Sequence, residues 1–175
     1  MRAAKPRALK VSLASTLGVL AFLTKLLLPT PYDKLLIVLH AYLLALSSLI
    51  AGGFGATYTG LVVGVLTTWW RPAFFPLSLI FDAFYGLTTD LLIRALKAES
   101  RARVPAARLT AALAASSALT GVTSMTAAVA LGFLGMNPAL YAVILVAGTL
   151  EGAAAGYLAS TTWNRYLSKH LGASR

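Results

Sequence analysis

The sequence predicts an all-α, polytopic membrane protein with six transmembrane helices and both termini in the cytoplasm, a single domain over residues 1–175. Three observations carry this. Hydrophobic residues make up 58% of the 175 and charged residues only 11%, and mean hydropathy is +0.78, whereas soluble domains run nearer half apolar and a quarter charged. The apolar residues gather into six runs, each close to the roughly 20 residues that a spanning helix needs. The 15 Lys and Arg against 5 Asp and Glu then fall almost entirely on one side of those runs, as the excess of Lys and Arg in cytoplasmic loops requires.

The first run, 11–28, follows the basic stretch MRAAKPRALK and has the outline of a secretory signal. No A-x-A-like cleavage site follows, and Pro29 and Pro31 close the segment, so it is expected to stay as the first span. The second run, 35–51, begins after PTPYDK and ends at Gly52-Gly53. The third, 54–70, ends at Arg71-Pro72. The fourth, 74–95, leads into KAESRARVPAAR. The fifth, 107–134, is longer than a bilayer needs, which implies tilt, a kink near Gly121 or an amphipathic start at the surface. The turn Gly135-Met136-Asn137-Pro138 separates it from the sixth, 139–162.

With the amino terminus inside, Arg2, Lys5, Arg7, Lys10, Arg94, Lys97, Arg101, Arg103, Arg108, Arg165, Lys169 and Arg175 are cytoplasmic, twelve of the 15 basic residues. Lys25, Lys34 and Arg71 fall at the outer side. The charge therefore reads as topology, and nucleic acid is not the expected partner. The basic loop Arg94 to Arg108 is a positive-inside loop, with anionic lipid or a partner subunit as its alternative contact. The chain contains no Cys, which excludes disulfides, thiolate metal sites and a Cys nucleophile.

Small residues mark the faces along which lipid-embedded helices approach. Gly148, Gly152, Gly156 and Ser160 recur every four residues in the sixth span, and Ala56, Gly60 and Gly64 in the third. Packing within the chain is the first expectation for both, a subunit contact the second. Shorter pairs are Ala14 with Gly18 and Ala111 with Ala115.

Ionisable residues inside a span are costly and mark function by default. Asp82 in the fourth span, Glu151 in the sixth and His40 in the second lie at outer to central depths, and their convergence would give two carboxylates and an imidazole. The competing structural reading has Asp82 bonded to Tyr or Thr groups and Glu151 paired with Lys25 or Arg71. Asp90, one turn from Arg94, reads as a structural ion pair near the cytoplasmic face. Tyr32, Tyr42, Trp69, Trp70, Phe74, Phe75, Tyr85 and Tyr141 gather on the outer side, an excess that fits stacking on a flat or cationic ligand as well as an interfacial belt. Asn137 adds an amide at the outer turn. Ser116, Ser117, Thr120, Thr123, Ser124 and Thr126 are too many hydroxyls for a lipid-facing helix, so some face neighbours or a cavity.

No Walker loop, GxGxxG, HExxH or GxSxG occurs, and neither catalytic nor metal-binding residues nor a cofactor are assigned. Gly52-Gly53-Phe54-Gly55 lacks the strand-to-helix setting and the Lys of a phosphate cradle.

AGGFGATYTGLVVGVL, leading into the third span, and PAFFPLSLIFDAFYGLTTDLL in the fourth resemble the substrate-binding S components of energy-coupling factor transporters of the vitamin type. These are six-span proteins with both termini in the cytoplasm. The resemblance implies no enzymatic activity, capture of a vitamin-like micronutrient near the outer face, and delivery with a transmembrane coupling subunit and ATPase subunits in the plasma membrane. It implies a substrate site around Trp69, Tyr85, Asp82, Asn137, Tyr141 and Glu151, to which the pattern of intramembrane ionisable groups and outer aromatics adds His40 and Trp70. The family's coupling seam is A-x-x-x-A in the first helix, and its nearest equivalent here is Ala14-x-x-x-Gly18. Two acids with aromatic rings point to a cationic heteroaromatic ligand related to thiamine, and the missing His-bearing amino terminus disfavours cobalt or nickel. Gly86-Leu87-Thr88-Thr89-Asp90-Leu91 also resembles the small multi-span protein of the bacterial cell-shape machinery, which makes a scaffold subunit the alternative. An ion-coupled carrier using Asp82 and Glu151 ranks third, because no internal duplication is evident.

Overall fold

The computed structural model describes residues 4–27, 37–99, 103–133 and 135–171. It is all-α, 87% helical, with six main helices. These are α1 (Ala4–Leu27), α2 (Ile37–Ala51), α3 (Gly55–Trp70), α4 (Leu77–Ala95), α5 (Ala106–Ala130) and α6 (Pro138–Thr162). A 3-10 turn, Pro72–Phe74, precedes α4, and a π-helical turn, Trp163–Leu167, joins α6 to the short α7, Ser168–Leu171.

The helices fall on the predicted runs, and the ends differ for local reasons. α1 starts within the basic stretch, because Pro6 sits in its first turn, where its missing N–H removes no helical bond. α4 starts three residues late because Arg71, Pro72 and Pro76 hold the chain in the 3-10 turn. α5 runs unbroken through Gly121 and stops at Ala130, with Gly132 at φ 76°. There Phe133 N–H reaches the Ala128 carbonyl at 2.9 Å and Gly132 N–H the Val129 carbonyl at 3.0 Å, the paired bonds of a left-handed helix stop. Asn137 begins α6 by accepting from the amides of Ala139 and Leu140. The PTPYDK break, with Tyr32 and Lys34, lies outside the described residues, as do Arg2, Arg101 and Arg175.

Among the described residues, three helical stretches, Ala8–Leu27, Ala106–Ala130 and Pro138–Leu167, are long and apolar enough to cross a membrane. α2 is apolar but has 15 described residues, about 22 Å at 1.5 Å per residue. α3 has 16, and α4 has 19 but carries Asp82, Asp90 and Arg94.

Two antiparallel hairpins, α3–α4 and α5–α6, form the frame, and glycines set their closeness. In the first, a Cβ on Gly60 would strike the Asp82 carbonyl, one on Gly64 would come within 2.9 Å of Leu79 Cα, and one on Gly86 would strike the Ala56 carbonyl. In the second, a Cβ on Gly152 would strike the Leu113 carbonyl, and one on Gly156 would lie 2.6 Å from Thr110 Cα. Gly148 has more room, with Ser117 O at 3.6 Å. Both small-residue seams are therefore spent within the chain. α1 runs parallel to α3, with Ala14 beside Thr59 and Lys25 beside Arg71, α5 packs beside α4, and α2 touches α1, α3, α4, α5 and α6.

Cations and one acid finish helix ends. Lys10 Nζ donates to the carbonyl of Ala51, the last residue of α2, at 3.2 Å. Arg71 donates to the Lys25 carbonyl in the last turn of α1 at 3.2 Å. Both meet the negative end of a helix dipole.

Asp90 corrects the sequence reading. Instead of pairing with Arg94, its wholly buried carboxylate accepts from the backbone amides of Ala56 at 3.2 Å and Thr57 at 2.8 Å, and from the Thr57 hydroxyl at 2.7 Å. These amides open α3, whose own preceding residue, Phe54, offers no capping side chain. The Arg94 guanidinium lies over the Phe54 ring at 4.5 Å and faces Glu99 at 3.8 Å. An Asp90→Asn variant keeps one acceptor oxygen and loses the charge. It is expected to lose about 2 kcal/mol, the scale of a hydrogen bond to a charged group, read as a lower unfolding midpoint in detergent.

Candidate functional site

The predicted site residues divide into separate groups. His40 on α2 and Tyr85 on α4 are buried and stacked, ring centroids 5.7 Å apart and planes 7° from parallel. The Tyr85 hydroxyl shares a hydrogen bond with Ser117 on α5. Glu151 on α6 is within electrostatic reach of the same Tyr85. Thus α2, α4, α5 and α6 each contribute one polar group to a common region of the bundle interior.

Asp82 lies three residues before Tyr85 on α4, but its charge is engaged elsewhere. Lys25 Nζ donates to both carboxylate oxygens, at 2.6 and 2.8 Å, with the two side chains 24% and 11% exposed. The sequence reading that assigned Tyr or Thr partners to Asp82 and offered Lys25 to Glu151 is therefore corrected. The pair ties α1 to α4, and the Arg71 bond to the Lys25 carbonyl ties α3 to the same point. Two cations and one acid meet there.

A hydroxyl ladder runs from Tyr85 along the α4–α5 contact. Ser116 bonds both Thr88 and Thr89 at 2.9 Å, and Thr88 reaches Thr120 at 3.4 Å. Three further α5 hydroxyls turn back on their own helix. Thr123 donates to Leu119, Ser124 to Gly121 and Thr126 to Val122.

The remaining predicted residues lie apart from this region. Trp69 is 86% exposed and Trp70 is exposed as well. Trp69 lines an open groove of about 630 Å³ with Val65, Leu66, Thr68, Pro72 and Phe75, an apolar surface with no ionisable side chain. Asn137 is exposed and occupied as the cap of α6, and the Tyr141 hydroxyl donates to Thr126 at 3.5 Å. Ten residues of α6 separate Tyr141 from Glu151, about 15 Å along the axis. One pocket formed by all eight residues is not what the structure holds.

Ala14 and Gly18 are likewise placed inside. Ala14 is 2% exposed and its carbonyl accepts from Thr59 at 3.1 Å, while a Cβ on Gly18 would meet Val62 at 2.8 Å. They seat α1 on α3 and are not a surface for a subunit.

Ser117 and Lys25 are the residues that sequence reading failed to put in these roles. Ser117 was visible only as one of six α5 hydroxyls. Lys25 was visible as a cation at the end of a span, but its partner is 57 residues away. The chain matches no protein-family model, no curated protein and no solved structure.

Proposed function

We propose that the chain is the six-span substrate-binding subunit of a micronutrient uptake system of the energy-coupling factor type, in the plasma membrane with both termini cytoplasmic, itself without enzymatic activity. The observation that carries this reading is the His40–Tyr85 stack with Ser117 and Glu151 around it. Buried polar groups inside an apolar bundle are expensive, and a ring pair beside a carboxylate is what a flat, cationic heterocycle of the thiamine-related kind requires. Asp82 is held by Lys25, and Glu151 adds a second carboxylate on the Tyr85 side of the bundle. The basic residues on the loops and termini support the orientation, and the apolar helices support insertion. With Ala14 and Gly18 seated against α3, contact with a coupling subunit and its ATPases falls to another face.

Purification in mild detergent, denaturation and mass spectrometry of the released small molecules test this. Wild-type protein is expected to release a heteroaromatic amine, with at least about tenfold less from Glu151→Gln, a loss of about 1.4 kcal/mol in binding. Trp70→Ala is expected to retain it. An empty wild-type protein that instead co-purifies with other membrane subunits would overturn this function in favour of the scaffold reading.

A further inference from the structure

We infer that the inner end of the α5–α6 hairpin is a docking site for the headgroup of an anionic phospholipid, held by Arg108, Arg165 and Lys169.

One side-chain amide brings these cations together from distant parts of the chain. Asn164 lies in the π-helical turn that follows α6. Its NH2 group donates to the Val104 carbonyl at 2.9 Å, and its oxygen accepts from the Val104 amide at 2.8 Å, across 60 residues of sequence. Both polar groups of the Val104 backbone are answered by one side chain, which fastens the segment entering α5 to the end of α6. Arg165 follows Asn164 directly, Lys169 comes one turn later in α7, and Arg108 lies in the first turn of α5.

The other described cations at this side are engaged by the protein itself. Lys10 donates to the Ala51 carbonyl, and Arg94 lies over the Phe54 ring and faces Glu99. By contrast Arg108, Arg165 and Lys169 are exposed, and none of the three makes an ion pair among the described residues. No acid occurs in residues 103–133 or 152–171. Glu151 is the nearest acid along α6, about 21 Å before Arg165. Cations gathered without an acid raise the local potential and draw an anion.

The surroundings of the patch select a lipid as that anion. The apolar stretch Pro138–Leu167 ends here, so the cations sit where the span meets the headgroups. Tyr166, 64% exposed, is a side chain suited to that interface. Tyr157 and Leu158, both exposed, lie about 10–12 Å back along α6, at the depth of acyl chains. Arginine takes a phosphate through two parallel bonds and lysine adds a point charge, and basic clusters between membrane helices hold anionic headgroups in this way. A free phosphate would use the cations alone and leave the apolar flank without a role. That these helix ends meet headgroups rests on the membrane insertion of the proposed function, whereas the ligand proposed there plays no part.

Trp163 adjoins Asn164, and after Trp69→Phe and Trp70→Phe it is the one Trp left of three. The full chain carrying these two changes is reconstituted in phosphatidylcholine vesicles that contain, at equal mole fraction, either phosphatidylglycerol or phosphatidylcholine with brominated chains, which quench Trp fluorescence at short range. Quenching is expected to give at least about fivefold stronger association for the anionic lipid, the scale of one cation near an anionic surface. Arg165→Gln/Lys169→Gln is expected to bring the two lipids near parity. Asn164→Ala, which keeps every cation and removes the clamp, is expected to lower the preference too, whereas Arg94→Gln/Lys97→Gln, with two charges lost on the same side, retains it. Equal quenching by the two lipids, or a preference that survives the Arg165/Lys169 or Asn164 change or falls equally with Arg94/Lys97, would overturn the site. Displacement by inorganic phosphate would overturn the lipid in favour of a free anion. Flotation with the vesicles is scored first. A protein that does not float overturns the insertion on which both readings rest, and one that floats without a lipid preference overturns the docking site alone.

Discussion

Lys25→Met is expected to destabilise the protein by about 3 kcal/mol, because it leaves the Asp82 carboxylate buried with its cation removed. Asp82 is 8% exposed and receives two short bonds from that ammonium. The double variant Lys25→Met/Asp82→Leu removes both charges and fills the space with apolar atoms. It should return to within about 1 kcal/mol of wild type, since replacing a buried pair by hydrophobic residues is often neutral or stabilising. Unfolding midpoints in mixed detergent for wild type, both singles and the double give the coupling energy directly. A double variant as unstable as Lys25→Met alone would show that the pair is not what Lys25 contributes. The same variants separate structure from binding. If the double variant keeps its small molecule, Asp82 holds α1 to α4 and takes no part in the site.

Gly152→Leu is expected to have a larger effect still, loss of the folded α5–α6 hairpin. A Cβ at this position already strikes the Leu113 carbonyl and comes within 2.5 Å of Ser117 Oγ, and backbone cannot yield as a side-chain tip can. Overpacking costs about 1–3 kcal/mol per insertion, occasionally more, and four added carbons against backbone should exceed that range. Gly148→Ala, one turn away on the same seam, meets Ser117 O at 3.6 Å, an ordinary contact, and should change stability by less than about 0.5 kcal/mol. Gel filtration of the two variants after graded heating reads the contrast. Equal tolerance of both would show that the α5–α6 approach is looser than its glycines imply.

The four-residue recurrence of Gly148, Gly152 and Gly156 was legible because a helix turns with nearly that period, so the sequence alone places them on one face. Helix order was legible for a similar reason, since apolar runs and their Pro and Gly breaks are local. Pairings between helices were not legible. Asp90 has Arg94 one turn away, and local spacing suggested that pair. The rotation of α4 turns the carboxylate to the amides of Ala56 and Thr57 instead, where three donors outweigh one solvated guanidinium. His40 and Glu151 were visible as polar groups out of place in a span, and Tyr85 as one of the outer aromatic rings. That two of them stack while Asp82 is captured by Lys25 depends on helix rotation, which composition does not encode. Trp69 and Trp70 read as a site by clustering, yet their rings point outward, as an interfacial belt requires.

The Asp90 cap ties the order of synthesis to the order of assembly. The amides that begin α3 wait for an acceptor 33 and 34 residues downstream, so α3 leaves the ribosome with its first turn unsealed. A buried amide left without its acceptor costs about 1–3 kcal/mol. The start of α3 is therefore completed only once α4 has been translated and folded back against it. A chain that stops between the two helices is expected to leave that first turn frayed.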